Sequence, residues 1–241
     1  MMPKLLSTGI EQAQNPFYPL YSQVKNFQKN LLSDGKFVYL YQIIGDSRLF
    51  WERLTLKTEA FPNLLYPLKE SLLLVGMMGC GKSTLGGRFA KACRIPFVDA
   101  DVEIEKAAGC SVADLFALYG EEEFRRGEER IMERLLNGSR SVIAAGGGSF
   151  LSERTRALAK TKTVSVFLDA DTSTLIRNTA GRTHRPLLNT ENPEERLKTL
   201  LEERRGVYEQ ADIVLSYKDE TAPVLMRRLM NALNDYVRKN G

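Results

Sequence analysis

Cysteine is scarce in this sequence. Cys80, Cys93 and Cys110 are scattered through 241 residues, an odd number with neither a disulfide framework's pairing nor metal-ligand spacing. A reducing cytoplasm is the expected compartment. Long hydrophobic runs are missing too: none approaches the ~18 residues needed to cross a bilayer, so no membrane partner is expected. The N-terminus lacks a signal peptide's basic start and apolar core, and its acidic residues argue against a transit peptide. Charge of one sign is not concentrated either. A net charge of +4 suits an enzyme with anionic ligands but not a nucleic-acid binder, which needs dense basic tracts. What remains, 43% hydrophobic and 27% charged residues, is the composition of an ordinary globular protein.

The chain divides near residue 70. Residues 1–70 are aromatic-rich, as in "NPFYPLYSQVKNF", and contain the only tryptophan, Trp51, without a sustained period, repeat or helix-turn-helix pattern. They read as a partly ordered extension of unknown role, with a short strand around Phe37–Ile44. Residues 71–241 are regular. The runs "SLLLV", "IPFVD", "SVIAA", "TVSVFLD" and "DIVLSY" are short and unalternating, as strands buried on both faces of a parallel sheet are. Helices are predicted between and after them over Ser83–Cys93, Val102–Ala108, Val112–Tyr119, Glu121–Leu136, Asn192 to about Tyr208, and Ala222–Lys239. Ser111 with Asp114 forms a near capping box, and Asn192-Pro193-Glu194-Glu195 combines an N-cap, an N1 proline and an acidic first turn. Alternation of this kind means a three-layer α/β/α sandwich around a five-stranded parallel sheet.

The strongest chemical signal is "LLLVGMMGCGKST". Gly76 and Gly81-Lys82-Ser83 satisfy G-x-x-x-x-G-K-[ST] between a buried strand and a helix. Here the backbone curls so that N–H groups from Gly79, Cys80, Gly81, Lys82, Ser83 and Thr84 face phosphate oxygens at a helix N-terminus. Lys82 reaches the β/γ-phosphates and Ser83 is a Mg²⁺ ligand. Cys80 needs only to be small, because no base partner for a nucleophile is in sight. The chain therefore binds a nucleoside triphosphate, and the loop alone does not name the acceptor.

Three further stretches fall where an acceptor pocket lies in open α/β sheets. "FVDAD" ends the second strand with Asp99 and Asp101 projecting to one side. "AAGGGSF" follows the third strand, where Gly146, Gly147 and Gly148 let backbone approach a ligand closely. "THRPLL" lies in a polar stretch that reads as a lid carrying Arg185 over the transferred phosphate, with His184 exposed beside it. The charge run "EEEFRRGEER" reads mainly as a solvated helix face, with Glu121, Glu122, Arg126, Glu129 and Arg130 in water.

Taken in order, G-x-x-G-x-G-K-S-T, D-x-D, E-F-R-x-x-E, G-G-G, R-P-L-L and E-R-x-x-x-Y-x-x-A-D resemble the shikimate kinase family from about Leu72 to Leu233. The resemblance implies a P-loop kinase fold with a substrate-binding helical segment and a lid. It also implies phosphoryl transfer from ATP, with Mg²⁺, to the 3-hydroxyl of shikimate on the route to aromatic amino acids, and a monomeric enzyme. It implies Lys82, Asp101 and Arg185 as catalytic residues, with Asp101 touching substrate hydroxyls and Asp99 near the metal. Arg125 would hold the shikimate carboxylate with Glu128 in support, Gly147 would contact substrate, and Phe116 and Phe124 would wall the ring. Arg204 matches a second carboxylate-binding arginine, although Arg205 adjoins it. Where many family members carry an arginine near adenine this chain has Asn178, leaving Arg177 or Arg182 as substitutes. A gluconate kinase, or a ligand-sensing regulator built on a kinase-like domain, are the competing readings.

Overall fold

The computed structural model of the chain describes residues 70–180, 190 and 192–240. The N-terminal extension and the stretch with Arg182, His184 and Arg185 lie outside the described residues. The five expected strands form one sheet of parallel strands: β1 (Ser71–Val75), β2 (Phe97–Asp99), β3 (Val142–Ala144), β4 (Thr163–Ala170) and β5 (Ile213–Tyr217), in the order β2-β3-β1-β4-β5. Between them run α1 (Lys82–Cys93), α2 (Ala100–Ala108), α3 (Val112–Leu136), a 3-10 turn (Ser149–Leu151), α4 (Glu153–Lys162), α5 (Thr172–Thr179) and α6 (Pro193–Tyr208), with α7 (Ala222–Asn240) closing the chain. Among the described residues no helix is long and apolar enough to cross a membrane.

Burial explains the order. Leu72, Leu73, Leu74 and Val75 of β1 have no exposed surface, so the most hydrophobic strand takes the centre. Burying each such side chain contributes about 1.5–3 kcal/mol. The expectation that every strand is covered on both faces fails at the two edges. β5 alternates, with Val214 exposed and Leu215 and Tyr217 buried, and β2 keeps Phe97 exposed. An edge strand meets a helix on fewer sides, so its outward residues stay in water.

Local signals set the helix ends. Ser111 and Asp114 complete a full capping box. The two helices expected on either side of Gly120 run on as α3, with a kink at Gly120, whose φ of 77° and ψ of 173° lie outside the helical region. Asn192 caps α6 with Pro193 in its first turn. The second helix begins at Ala100 rather than Val102. Asp99 is its N-cap, accepting the Asp101 N–H at 3.1 Å, so Asp101 stands in the first helical turn and not at the end of the strand.

Candidate active site

Sheet order decides what meets at the carboxyl ends of the strands. Reading across the sheet, these ends carry Asp99 (β2), the glycine run (β3), the phosphate loop (β1), Asp169 (β4) and Tyr217 (β5). A cleft of about 400 Å³ lies over them, lined by Gly79, Gly81, Lys82, Ser83, Thr84, Asp99, Asp101, Gly147, Asn178 and Tyr217, among others. Such a crevice is the usual ligand position in an open parallel sheet.

The phosphate loop curls as expected. Gly76, Gly79 and Gly81 have φ of 135°, 84° and 83°, and α1 starts immediately behind them. At Gly79 a side chain would strike the Thr179 methyl group at 2.8 Å. The Lys82 ammonium donates to the carbonyls of Gly76 (2.8 Å) and Met77 (3.1 Å), so the loop's own backbone satisfies it. Phosphate oxygens would be stronger partners for it than these carbonyls, because both groups then carry charge. Cys80 is wholly buried, its N–H turned to the Met77 carbonyl at 3.2 Å and its own carbonyl accepting from Tyr217. Ser83 Oγ donates to Asp99 Oδ2 at 2.5 Å, joining two segments that the sequence separates by sixteen residues. A hydroxyl and one carboxylate, both accessible from the cleft, fit a hard divalent cation that takes its other ligands from phosphate and water. Among the described residues no cluster of three or more metal-binding side chains exists, so the protein alone supplies an incomplete shell.

The acceptor end is made of side chains. Glu128 is buried at 2% exposure; its Oε2 pairs with Arg125 at 2.7 Å and its Oε1 accepts from Ser149 at 2.7 Å. Glu121 grips the other side of Arg125 at 2.9 Å. Burial works against the Arg125 cation, but the two carboxylates outweigh it and raise its pKa. The guanidinium also lies 5.3 Å from the Phe124 ring centroid and 5.8 Å from that of Phe116, and the two rings pack 4.4 Å apart at a 37° tilt. The glycines are what make room. A Cβ on Gly148 would sit 2.2 Å from Arg125 Nη1, and one on Gly146 would sit 2.5 Å from Glu128 and 2.7 Å from Asp101.

Arg204 and Arg205 separate cleanly. Arg204 is buried and donates to the Gly147 carbonyl at 3.3 Å, while Arg205 turns to Asp169 at 2.8 Å. Only Arg204 faces the glycine run. Tyr208 donates to the same carbonyl, and burial pushes its pKa up to about 12. Asn178 donates to the Gly79 carbonyl, and Arg177 pairs with Asp219 at 2.6 Å on the rim of the cleft.

Two expectations about the charge run change. Glu121 is a working partner of Arg125. Glu129 accepts from Ser152 at 2.5 Å and lies 3.8 Å from Arg154, tying α3 to α4 rather than standing in water. Glu122 and Arg126 are solvated, as expected. The i,i+4 spacing of Glu121 and Arg125 carried a readable signal. Ser149 sat unremarked beside the glycines, and nothing in the sequence pointed to Tyr217.

The sequence matches the shikimate kinase family model over residues 78–234. The chain belongs to the shikimate kinase family. It is 48% identical over 150 residues to a shikimate kinase of Bradyrhizobium diazoefficiens, covering 62% of this chain and 72% of that one. With a shikimate kinase of Paramagnetospirillum magneticum the identity is 42% over 176 residues, covering 73% and 90%. Among solved structures, a shikimate kinase from Acinetobacter baumannii in complex with shikimate superposes with a TM-score of 0.65 at 31% identity, covering 71% of this chain and 94% of that one. This kinase is thus an ATP-dependent, Mg²⁺-using transferase of the P-loop class.

Proposed function

We propose that this kinase moves the γ-phosphoryl group of ATP to the 3-hydroxyl of shikimate through the residues assembled above, with residues 71–241 as the kinase domain. One observation carries the reading. A guanidinium fixed by two carboxylates is seated over Gly148, in the glycine run whose Gly147 lines the cleft together with Asp101 and the phosphate loop. A planar cation held in one orientation suits a carboxylate, and Arg204 offers a second from α6. Phe116 and Phe124 form the apolar wall beside them.

Phosphoryl transfer to an alcohol depends on alignment and charge neutralisation more than on covalent help. Lys82 and the loop N–H groups hold the phosphates, and Arg185, the arginine of the R-P-L-L motif, would add positive charge. Ser83 and Asp99 would hold Mg²⁺, which neutralises phosphate charge. Asp101, in the first turn of α2, accepts or orients the 3-hydroxyl proton as the hydroxyl oxygen bonds to the γ-phosphorus. The bond from that phosphorus to the bridging oxygen breaks, leaving ADP.

The decisive experiment is a coupled ADP-release assay on the full chain with shikimate and with gluconate. Shikimate-dependent ADP release is expected, and gluconate turnover without shikimate turnover overturns the reading. We further propose a monomer in the cytoplasm without nucleic-acid or membrane partners. Three free cysteines support a reducing compartment, and a site made by one chain supports a monomer, which sedimentation checks.

A further inference from the structure

The phosphate loop is gripped from behind at two consecutive carbonyls. Asn178 Nδ2, from the last turn of α5, donates to the Gly79 carbonyl at 2.9 Å. Tyr217, the last residue of β5, donates through its hydroxyl to the Cys80 carbonyl at 2.5 Å. These partners lie 99 and 137 residues from the loop in sequence, and both line the nucleotide cleft. The contact is tight as well as polar. The Thr179 methyl and the Leu175 carbonyl fill the space where a Gly79 side chain would be, and a Cβ on Gly81 would come within 3.8 Å of the Tyr217 hydroxyl.

A trans peptide unit is planar, with its C=O and N–H pointing in opposite directions. Holding the Cys80 carbonyl toward Tyr217 therefore turns the Gly81 N–H away from Tyr217. Holding the Gly79 carbonyl toward Asn178 fixes the next peptide plane back, whose Cys80 N–H closes a turn on the Met77 carbonyl at 3.2 Å. Aiming several N–H groups at one point is electrostatically unfavourable until an anion arrives, so an unbraced loop relaxes by rotating these planes. Glycines at 79 and 81, both at positive φ, make that rotation easy.

We propose that Asn178 and Tyr217 are positioning residues that lock the peptide planes of the phosphate loop in their phosphate-binding orientation before the nucleotide binds. This deepens the kinase reading and rests on it. The braces act on the polyphosphate through the loop, without touching it, and prepay part of the ordering that binding otherwise requires. Their work falls on the nucleotide and not on the acceptor, because their bonds go to the Gly79 and Cys80 carbonyls and not to Arg125 or Arg204.

The test uses the full chain with Tyr217→Phe, which removes one oxygen and keeps the buried ring, and Asn178→Leu as an independent variant. Steady-state kinetics give KM for ATP and for shikimate, and inorganic tripolyphosphate serves as a competitive inhibitor lacking the base and ribose. Loss of one hydrogen bond corresponds to a rise of about three- to tenfold. In each variant KM for ATP and the tripolyphosphate Ki are expected to rise together by this factor, with KM for shikimate unchanged. The double variant multiplies the two effects. A raised KM for ATP with an unchanged tripolyphosphate Ki overturns the proposal, because it means that these side chains contact the base or ribose directly. Unchanged values for both overturn it as well, as does a loss confined to thermal stability. Absence of shikimate turnover in the unmodified protein refutes the kinase reading, whereas tripolyphosphate binding still reports on the braces.

Discussion

At its β1 end the cleft is lined by one continuous stretch of chain, with Gly79, Gly81, Lys82, Ser83 and Thr84 following one another closely. At the β2–β3 end it is lined by Asp99, Asp101 and Gly147, and the Arg125 and Arg204 side chains of α3 and α6 reach the glycine run beside them. The first end depends on how the chain curls, and it is indifferent to side chains such as that of Cys80, which is buried away from the cleft. The second depends on the partners each charge keeps. Arg125 is held by Glu121 and Glu128, in the room that the missing side chain of Gly148 leaves. A phosphate can be met by consecutive amides because its oxygens are gathered around one phosphorus atom, within reach of a single turn of backbone. A carboxylate on a carbon ring must be met at several separated points, and no short segment can supply them.

This division is open to attack. Lys82→Ala should have the largest effect, lowering kcat by about a thousandfold, since it removes a full charge from the developing phosphate. Near-normal turnover would mean that the loop's lysine is not part of the chemistry. Arg125→Ala should raise KM for shikimate by about a hundredfold while KM for ATP stays within about twofold, the cost of a lost charge-assisted bidentate contact. A fall in ATP affinity instead would erase the distinction between the two ends. Gly148→Ala tests the space and not the charge. A methyl group there overlaps the guanidinium, so KM for shikimate should rise about tenfold with ATP kinetics unaltered, as isothermal titration with shikimate would also show.

The smallest effect at neutral pH concerns Tyr208, where the two ends meet. Its hydroxyl donates to the Gly147 carbonyl, lies 3.6 Å from Met77 Sδ of the phosphate loop, and its ring packs 5.1 Å from Phe167. Burial raises its pKa from 10.0 to about 12. The folded state therefore holds this proton more tightly than the unfolded chain does. Its contribution to stability is complete below pH 10 and is lost as pH rises toward about 12. Thermal melts of the full chain should decline over that window, and Tyr208→Phe should flatten the decline. An identical slope in the variant would show that the hydroxyl does not titrate as its burial requires.

Much of the nucleotide end was legible before folding. A buried strand, a glycine-rich loop and a helix occur in one continuous stretch, so spacing and structure are nearly the same information there. The capping box at Ser111 and the break at Gly120 were equally local, and both stand where the sequence puts them. The acceptor end was legible only as separate pieces. Glu129 looked solvated because its partners, Ser152 and Arg154, belong to a helix the pattern did not delineate. Asp101 looked like part of a strand because the strand stops two residues earlier, at the cap made by Asp99. Arg204 and Arg205 were indistinguishable as letters, and only the rotation of α6 against the sheet turned one toward Gly147 and the other toward Asp169.

The sequence by itself thus determined the strands, most of the helices, the curl of the phosphate loop and the residue types a shikimate kinase requires. These follow from period, propensity and backbone sterics, which act over a few neighbouring residues. Tertiary structure alone decided that Ser149 holds the far oxygen of Glu128, which arginine faces the glycines, and that Asn178 and Tyr217 grip the phosphate loop. Each of those contacts joins a pair whose register or distance in the chain leaves several partners equally available. The choice among them is made by the strand order of the sheet, which places β3 and β4 on either side of β1 and so brings their loops to one cleft.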